Sequence, residues 1–202
     1  EANRYAVAAA HIAFLSAATG RNVYLDVGNV KHHARVYTLH VGRTARGRKG
    51  EALSLSKRIR EAIELRHRED AGNLAGIADS FCGQMHDGGL SSREGLAVLI
   101  HDGYTIGKDV VPPIEDKRLW IIESEFANVL HQAKRDGNTL SAALRDSWDG
   151  VSIRPATKTS RLWASNPHIS LTGNITPSEL HGLMESRELS NGFANRFLIF
   201  WA

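Results

Sequence analysis

The chain of 202 residues has one cysteine, Cys82, so no disulfide can form within it, and the sequence reads as that of a cytoplasmic protein. It has no apolar run approaching the length of a membrane span. Its first residues show no charged-then-apolar signal segment, and no membrane partner is expected. A structural zinc site is not expected either. Cysteine ligands are lacking, and among the ten histidines His32 and His33 are adjacent, whereas ligand pairs need i, i+4 spacing on a helix or i, i+2 on a strand. Charge of one sign is also in short supply. A formal net charge of +3 permits contact with nucleic acid without demanding it.

What is present is an ordinary globular composition, 42% hydrophobic and 23% charged, enough for one sizeable core. We expect one domain over residues 1–202, with residues 1–34 as a helical lead-in. The end of the chain, residues 196–202, is largely apolar, which points to a piece of a longer polypeptide.

The most informative segment is Val41-Gly42-Arg43-Thr44-Ala45-Arg46-Gly47-Arg48-Lys49-Gly50-Glu51. It follows an alternating apolar stretch at 35–41, expected as a strand, and precedes an amphipathic helical pattern at 52–68. A strand that passes through a glycine-rich basic turn into a helix can hold phosphates on backbone N–H groups, with lysine adding a point charge. Gly42, Arg43, Thr44, Gly47, Arg48, Lys49 and Gly50 are the candidate phosphate-binding residues. The spacing of Gly42 and Gly47 fits a P-loop, but Arg48 stands where lysine is usual and Lys49 comes one place late. Where a hydroxyl would meet Mg²⁺, the chain has Gly50, Glu51 and Ala52, and the next hydroxyls are Ser54 and Ser56. Taken alone, the segment also fits an ordinary basic strand-helix turn.

Other segments extend the pattern. Residues 5–18 are alanine-rich and suggest a helix stopped at Gly20. Ser91 and Glu94 suggest a helix start before 96–100, followed by a loop with Pro112 and Pro113. The run Leu119-Trp120-Ile121-Ile122 reads as a central parallel strand, with Glu123 and Glu125 at its carboxyl end where such sheets bind ligands. One carboxylate there would hold Mg²⁺ (we assign Glu123) and the other would accept a proton from attacking water. Starting the helix at 126–134 is the competing role for both. Residues 168–173 read as a strand ending at Asn174, followed by Thr176-Pro177 as a helix start. If that strand neighbours the acidic one, Asn174 can hydrogen-bond the terminal phosphate or the attacking water. Otherwise it is a turn or cap. Arg196, at the entrance of a last strand at 197–201, is either a surface ion-pair partner or a finger reaching a neighbouring subunit's nucleotide. Residues 145–148 and Trp163 offer arginine and aromatic faces to single-stranded DNA, or pack in the core.

The succession Val41-Gly42-Arg43-Thr44 with Arg48-Lys49-Gly50, Leu90-Ser91-Ser92 with Glu94-Gly95-Leu96, and Glu123-Ser124-Glu125-Phe126 resembles one family. So do, in order, Asn138-Thr139-Leu140-Ser141, Trp148-Asp149-Gly150, His168-Ile169-Ser170, Ile175-Thr176-Pro177 and Asn191-Gly192-Phe193 with Arg196-Phe197-Leu198. The family is an uncharacterised group of RecA-like P-loop proteins of phages, plasmids and mobile elements, often joined to primase, helicase-type or DNA-binding domains. The resemblance covers about residues 37–200. It implies a three-layer α/β core with a mainly parallel sheet that binds ATP and Mg²⁺, works on single- or double-stranded DNA in replication, and assembles as a homo-oligomeric ring. On this resemblance Lys49 contacts the phosphates, Glu123 and Glu125 form the acidic motif, Asn174 is the sensor and Arg196 the finger acting in trans. The chain departs from the family at Glu51, where serine or threonine is common, and at Asn174, where histidine is frequent. The first departure leaves open a nucleotide-binding module without hydrolysis. A basic DNA-binding scaffold is the third reading.

Overall fold

The computed structural model describes residues 3–43, 49–71, 80–155, 162–184 and 191–201. Its centre is a parallel sheet of five strands, built from β3 (Tyr37–Val41), β4 (Gln84–Asp87), β7 (Arg118–Glu123), β8 (His168–Ile175) and β9 (Phe197–Trp201). The order across the sheet is β4-β7-β8-β3-β9. Two antiparallel hairpins stand apart from it, β1 (Tyr24–Val27) with β2 (Val30–His33) and β5 (Tyr104–Ile106) with β6 (Asp109–Val111). The helices are α1 (Arg4–Thr19), α2 (Lys49–Ala71), α3 (Arg93–Val98), α4 (Phe126–Ala133), α5 (Leu140–Asp149) and α6 (Pro177–Leu183). No helix among the described residues is long and apolar enough to cross a membrane.

The two faces of the sheet are covered differently, giving three layers. Every residue of β3 and β8 is buried, as central parallel strands require. Leu39, Ile121, Leu171 and Ile175 pack with Leu96, Phe126, Val129 and Leu144 of α3, α4 and α5. Trp120 and Ile122 point the other way, to Phe14 and the buried alanines of α1 and to Leu53 of α2. Alanine at positions 10, 13 and 17 keeps that face of α1 thin, so the helix lies close to the strands. At this distance polar side chains can bridge the layers. Thr38 Oγ1 donates to Ala9 O at 3.0 Å and His168 Nε2 to Ser16 O at 2.9 Å, while within the sheet Trp120 Nε1 donates to Thr172 Oγ1 at 2.9 Å. On the opposite face Gly173 is required by space, since a Cβ there would sit 2.9 Å from the Phe126 ring and 3.0 Å from Leu39 Cδ1.

Several boundaries differ from the sequence expectation. The strand expected at 35–41 begins at Tyr37, because Arg35 turns to the carboxyl end of α5. Its Nε donates to Trp148 O at 2.7 Å and its Nη2 to Asp149 O at 3.1 Å. Only the first part of residues 1–34 is helical, and the β1–β2 hairpin follows. Ser92, not Ser91, caps α3, its Oγ accepting from Gly95 N at 3.0 Å. The β5–β6 hairpin precedes the Pro112-Pro113 loop, and β8 runs to Ile175, so Asn174 lies inside the strand. Cys82 packs between the sheet and α2, where burial pushes its thiol up to about 11.

His168 gives this architecture a pH dependence. Burial, reinforced by Arg35, His33 and Arg21, pulls it from 6.5 down to about 4, against the opposing hydrogen bond to Ser16 O. Between these values the unfolded chain takes up a proton that the folded chain refuses, so stability falls as pH falls, by on the order of 3 kcal/mol from this group. We expect the urea midpoint to drop between pH 7 and pH 4.5, and the drop to be smaller in His168→Gln, which keeps a donor for Ser16 O.

Candidate functional site

Parallel strands deliver their carboxyl ends to one edge of the sheet, and there the loop after β3, Asn174 of β8 and the acidic turn after β7 meet in strand order. Gly42 N donates to Ile175 O at 3.1 Å, tying the start of the glycine-rich loop to the end of β8. Arg43 is exposed, beside a cavity of about 520 Å³ lined also by Thr176, Pro177, Ser178 and Glu179. Thr176 caps α6 in a reciprocal box with Glu179. Thr44, Gly47 and Arg48 lie outside the described residues. Lys49 and Gly50 open α2, and among the described residues beyond its own helix no heavy atom lies within 4 Å of where a Cβ of Gly50 would stand. Glu51 is exposed in the first turn. Ser56, further along, is buried against α1 with its Oγ 3.0 Å from His11 Nδ1, and so faces away from the loop.

Asn174 is 3% exposed, and its Nδ2 has no hydrogen-bond partner among the described residues. An unmet buried donor costs about 1–3 kcal/mol, and such groups are rare enough to need a reason. The amide stands next to His40 across the β3–β8 register, one strand from the glycine loop.

The two glutamates occupy different environments. Glu123 closes β7 at 4% exposure and its Oε1 accepts from Leu90 N at 2.9 Å. Burial, with Asp87 nearby, raises its carboxyl above the usual range, while the backbone bonds from Leu90 and Gly89 oppose the rise. Strand alternation puts it on the face of Leu119 and Ile121, opposite to Asn174. Glu125 is exposed at the N-cap position of α4, where its side chain makes no cap hydrogen bond. Its Oε2 accepts a 3.4 Å hydrogen bond from Asn128 Nδ2. Of the competing role, beginning and capping the helix, Glu125 fills the first through its backbone, with Asn128 N donating to Glu125 O at 3.0 Å, and its side chain makes no cap hydrogen bond.

Arg196 is not brought to this edge. It precedes β9, whose Phe197 pairs with Tyr37 at the start of β3, so it lies roughly 20 Å from Gly42 along the strands. Its Nη2 meets Asp149 Oδ2 at 2.7 Å, Nη1 donates to Gly192 O at 2.8 Å, and the guanidinium lies 5.4 Å from the Trp148 ring centroid. Arg145 donates to Asn191 O at 3.3 Å, and Trp163 is exposed with Arg154 stacked on it.

Sequence reasoning gave no role to the edge strand β4 and its turn. Asp87 pairs with Lys57 of α2, and Gly88 N donates to Ile122 O at 2.8 Å. The turn presents Gly89 and Leu90 to Glu123, and the Gly88-Gly89 pair was its available signal. Compared with protein-family models, with curated proteins and with solved structures, the chain matches none.

The split between the glutamates is testable by stability. Glu123→Leu strands the buried Leu90 N–H and is expected to cost about 1–3 kcal/mol. Glu123→Gln keeps an acceptor without a buried charge, and Glu125→Gln changes an exposed group, so both are expected to stay within about 0.5 kcal/mol. Urea unfolding at pH 7 reads all three.

Proposed function

We propose that this chain is a RecA-like P-loop core that binds ATP and hydrolyses it in the service of DNA replication by a mobile element. The observation that carries the reading is Asn174, whose buried Nδ2 has no hydrogen-bond partner among the described residues, on the strand between the glycine-rich loop strand and the acidic strand. A γ-phosphate or an attacking water at that edge supplies the missing acceptor.

In this reading the backbone at the start of α2 and Lys49 hold the phosphates. Glu125, exposed and unbound by a cap, accepts the proton of the attacking water, and Asn174 orients that water or the γ-phosphate. Glu123 carries the acidic motif on the side of the β4 turn. Among the described residues no group of three or more His, Cys, Asp or Glu is placed to hold a metal. Mg²⁺ fits only as a companion of the triphosphate, with one or two carboxylates and the phosphate oxygens as ligands, where it would neutralise phosphate charge. Arg196 serves a neighbouring subunit of a homo-oligomer only if it leaves Asp149. The DNA partner rests on the family resemblance.

A second reading, nucleotide binding without turnover, is favoured by α2 itself. Its opening residues Lys49, Gly50, Glu51 and Ala52 carry no hydroxyl, and Ser56 is committed to His11.

Mg²⁺-dependent ATP binding and phosphate release, with and without single-stranded DNA, test the proposal. We expect Lys49→Ala to abolish binding, and Glu125→Gln to keep binding while slowing phosphate release by about 10²–10⁴-fold. Asn174→Ala is expected to slow release by about 10²-fold or more. Binding by the parent with no phosphate release selects the second reading. No nucleotide binding by a folded parent, with steeply salt-dependent DNA binding, selects the basic scaffold.

A further inference from the structure

The edge of the sheet away from the glycine loop holds a second concentration of charge. Strands β7 and β8 start there, and with the residues that follow α1 they line a cavity of about 520 Å³. Most of the charge in its walls is already used. Lys117 Nζ donates to Ile100 O, His101 O and Asp102 Oδ1, each at 2.8 Å, and Asp102 also accepts from Ser165 N and Oγ. Every N–H of the Arg118 guanidinium is taken, by Asp116 and by the carbonyls of Ala18, Phe81 and Ser80. Glu115, also in the lining, is exposed to water.

Two basic groups of the lining remain. Arg21 is half-buried, and among the described residues its guanidinium makes one hydrogen bond, from Nη1 to Pro167 O at 3.3 Å, and no ion pair. Burial lowers its proton affinity with no carboxylate opposing. His168, the next residue after Pro167, is fully buried, and its Nδ1 has no partner among the described residues. Because Nε2 is the donor to Ser16 O, Nδ1 of the neutral ring is an acceptor. The other groups that act on this pair are basic too, His33 of β2 and Arg35 before β3. The carboxylate acting on Arg35 is Asp149, which Arg196 holds. Four basic side chains thus share a partly buried space in which the nearby aspartates are committed to other cations, a setting that favours an anion.

We propose that this cavity binds an oxyanion that carries its own O–H, with inorganic phosphate as the type, its charge held by Arg21 and its O–H donated to His168 Nδ1. Phosphate keeps at least one O–H throughout the neutral range, so it brings the proton that the bond to Nδ1 needs. Sulfate and phosphodiesters have none. To make the same bond they must draw a proton from solvent onto a ring that burial and its cationic neighbours hold at about 4. The site therefore selects phosphate over sulfate and over the backbone of a nucleic acid, and it involves no residue of the nucleotide reading.

Calorimetry with inorganic phosphate, sulfate and dimethyl phosphate at pH 7.5 and pH 5.5 tests the site on the parent, Arg21→Gln, His168→Gln and Lys49→Ala, each checked for folding by circular dichroism. At pH 7.5 the parent is expected to bind phosphate about tenfold or more tighter than the other two anions, and Arg21→Gln to lose about tenfold or more of that affinity. Lys49→Ala leaves it unchanged. Sulfate binding to the parent strengthens severalfold at pH 5.5, where protonating Nδ1 costs less, and the gain disappears in His168→Gln, which keeps a donor for Ser16 O. The ring-nitrogen NMR signal of His168 Nδ1 moves on adding phosphate. No phosphate binding by the folded parent, or equal binding by Arg21→Gln, overturns the proposal. So does equal affinity for phosphate and sulfate at pH 7.5. A gain for sulfate that persists in His168→Gln belongs to His33 and overturns the role of His168. Loss of phosphate binding in Lys49→Ala but not in Arg21→Gln places the anion at the start of α2 and overturns the cavity.

Discussion

Burial of β8 along its whole length, on both faces, is the constraint on which the rest of the structure depends. A strand in that position needs a neighbour on each side and a helical layer above and below. Its two faces are chemically unlike. Ile169, Leu171, Gly173 and Ile175 meet the apolar α3–α5 layer, whereas His168, Ser170, Thr172 and Asn174 face the α1 side. A polar row on a buried face is tolerable only if its groups are met. Three of them make such bonds: His168 Nε2 reaches Ser16 O, Ser170 Oγ shares a hydrogen bond with Ser16 Oγ at 2.7 Å, and Thr172 Oγ1 accepts from Trp120, although His168 Nδ1 has no partner among the described residues. The Nδ2 of Asn174, the last residue of the row and the one nearest the start of the glycine loop, has none either. Of these two atoms the Asn174 amide is the one at the carboxyl edge of the parallel sheet, where such sheets bind ligands and an outside acceptor can complete the row.

The same edge divides two carboxylates by environment. Glu123, buried and holding the β4 turn by Leu90 N, resists ionisation and couples β7 to β4. Asp87, at the end of β4, adds to that resistance and is itself paired with Lys57 of α2. Glu123, the β4 turn, Asp87 and α2 thus form a continuous polar connection from the acidic strand to the helix that follows the glycine loop. Glu125 stands outside it, exposed and able to change partners. Of the two, Glu123 is the buried, hydrogen-bonded carboxylate and Glu125 the exposed one.

Strand β7 was legible in sequence because a strand buried on both faces favours an apolar run, and 119–122 is one; 168–173 alternates polar and apolar residues, so its strand was legible but its burial on both faces was not. The hairpins were harder to read. Val27-Gly28-Asn29-Val30 and Ile106-Gly107-Lys108-Asp109 carry two-residue glycine turn signals, but the flanking segments are short and do not alternate cleanly. Strand β4 is four residues at a sheet edge with half-exposed side chains, so neither periodicity nor apolarity marks it. The meeting of the strand ends followed from the expectation of a parallel sheet. The sidedness of Glu123 and Asn174 did not, because an apolar run does not say which face the next helix covers. The position of Arg196 is also a matter of topology: a residue that precedes a parallel strand lies at the edge away from the ligand.

That position shapes any role for Arg196 in an assembly. The guanidinium closes a cluster around the end of α5, pairing with Asp149 and lying over Trp148. Arg35 meanwhile takes the carbonyls of Trp148 and Asp149, so close to Gly150 that a Cβ there would lie 2.6 Å from Nη1. Moving Arg196 toward a neighbour's nucleotide would leave the Asp149 carboxylate unpaired, although Arg35 would still hold that end of α5. The Arg196 side chain is 20% exposed and Asp149 42%, so water can replace the lost partner and the cost of release stays well below that of breaking a buried pair. Arg35 therefore lets the helix end tolerate a second use of Arg196, and such use would require a neighbouring subunit to present its glycine-loop edge to the opposite edge of this sheet, a head-to-tail contact of the kind that closes into a ring.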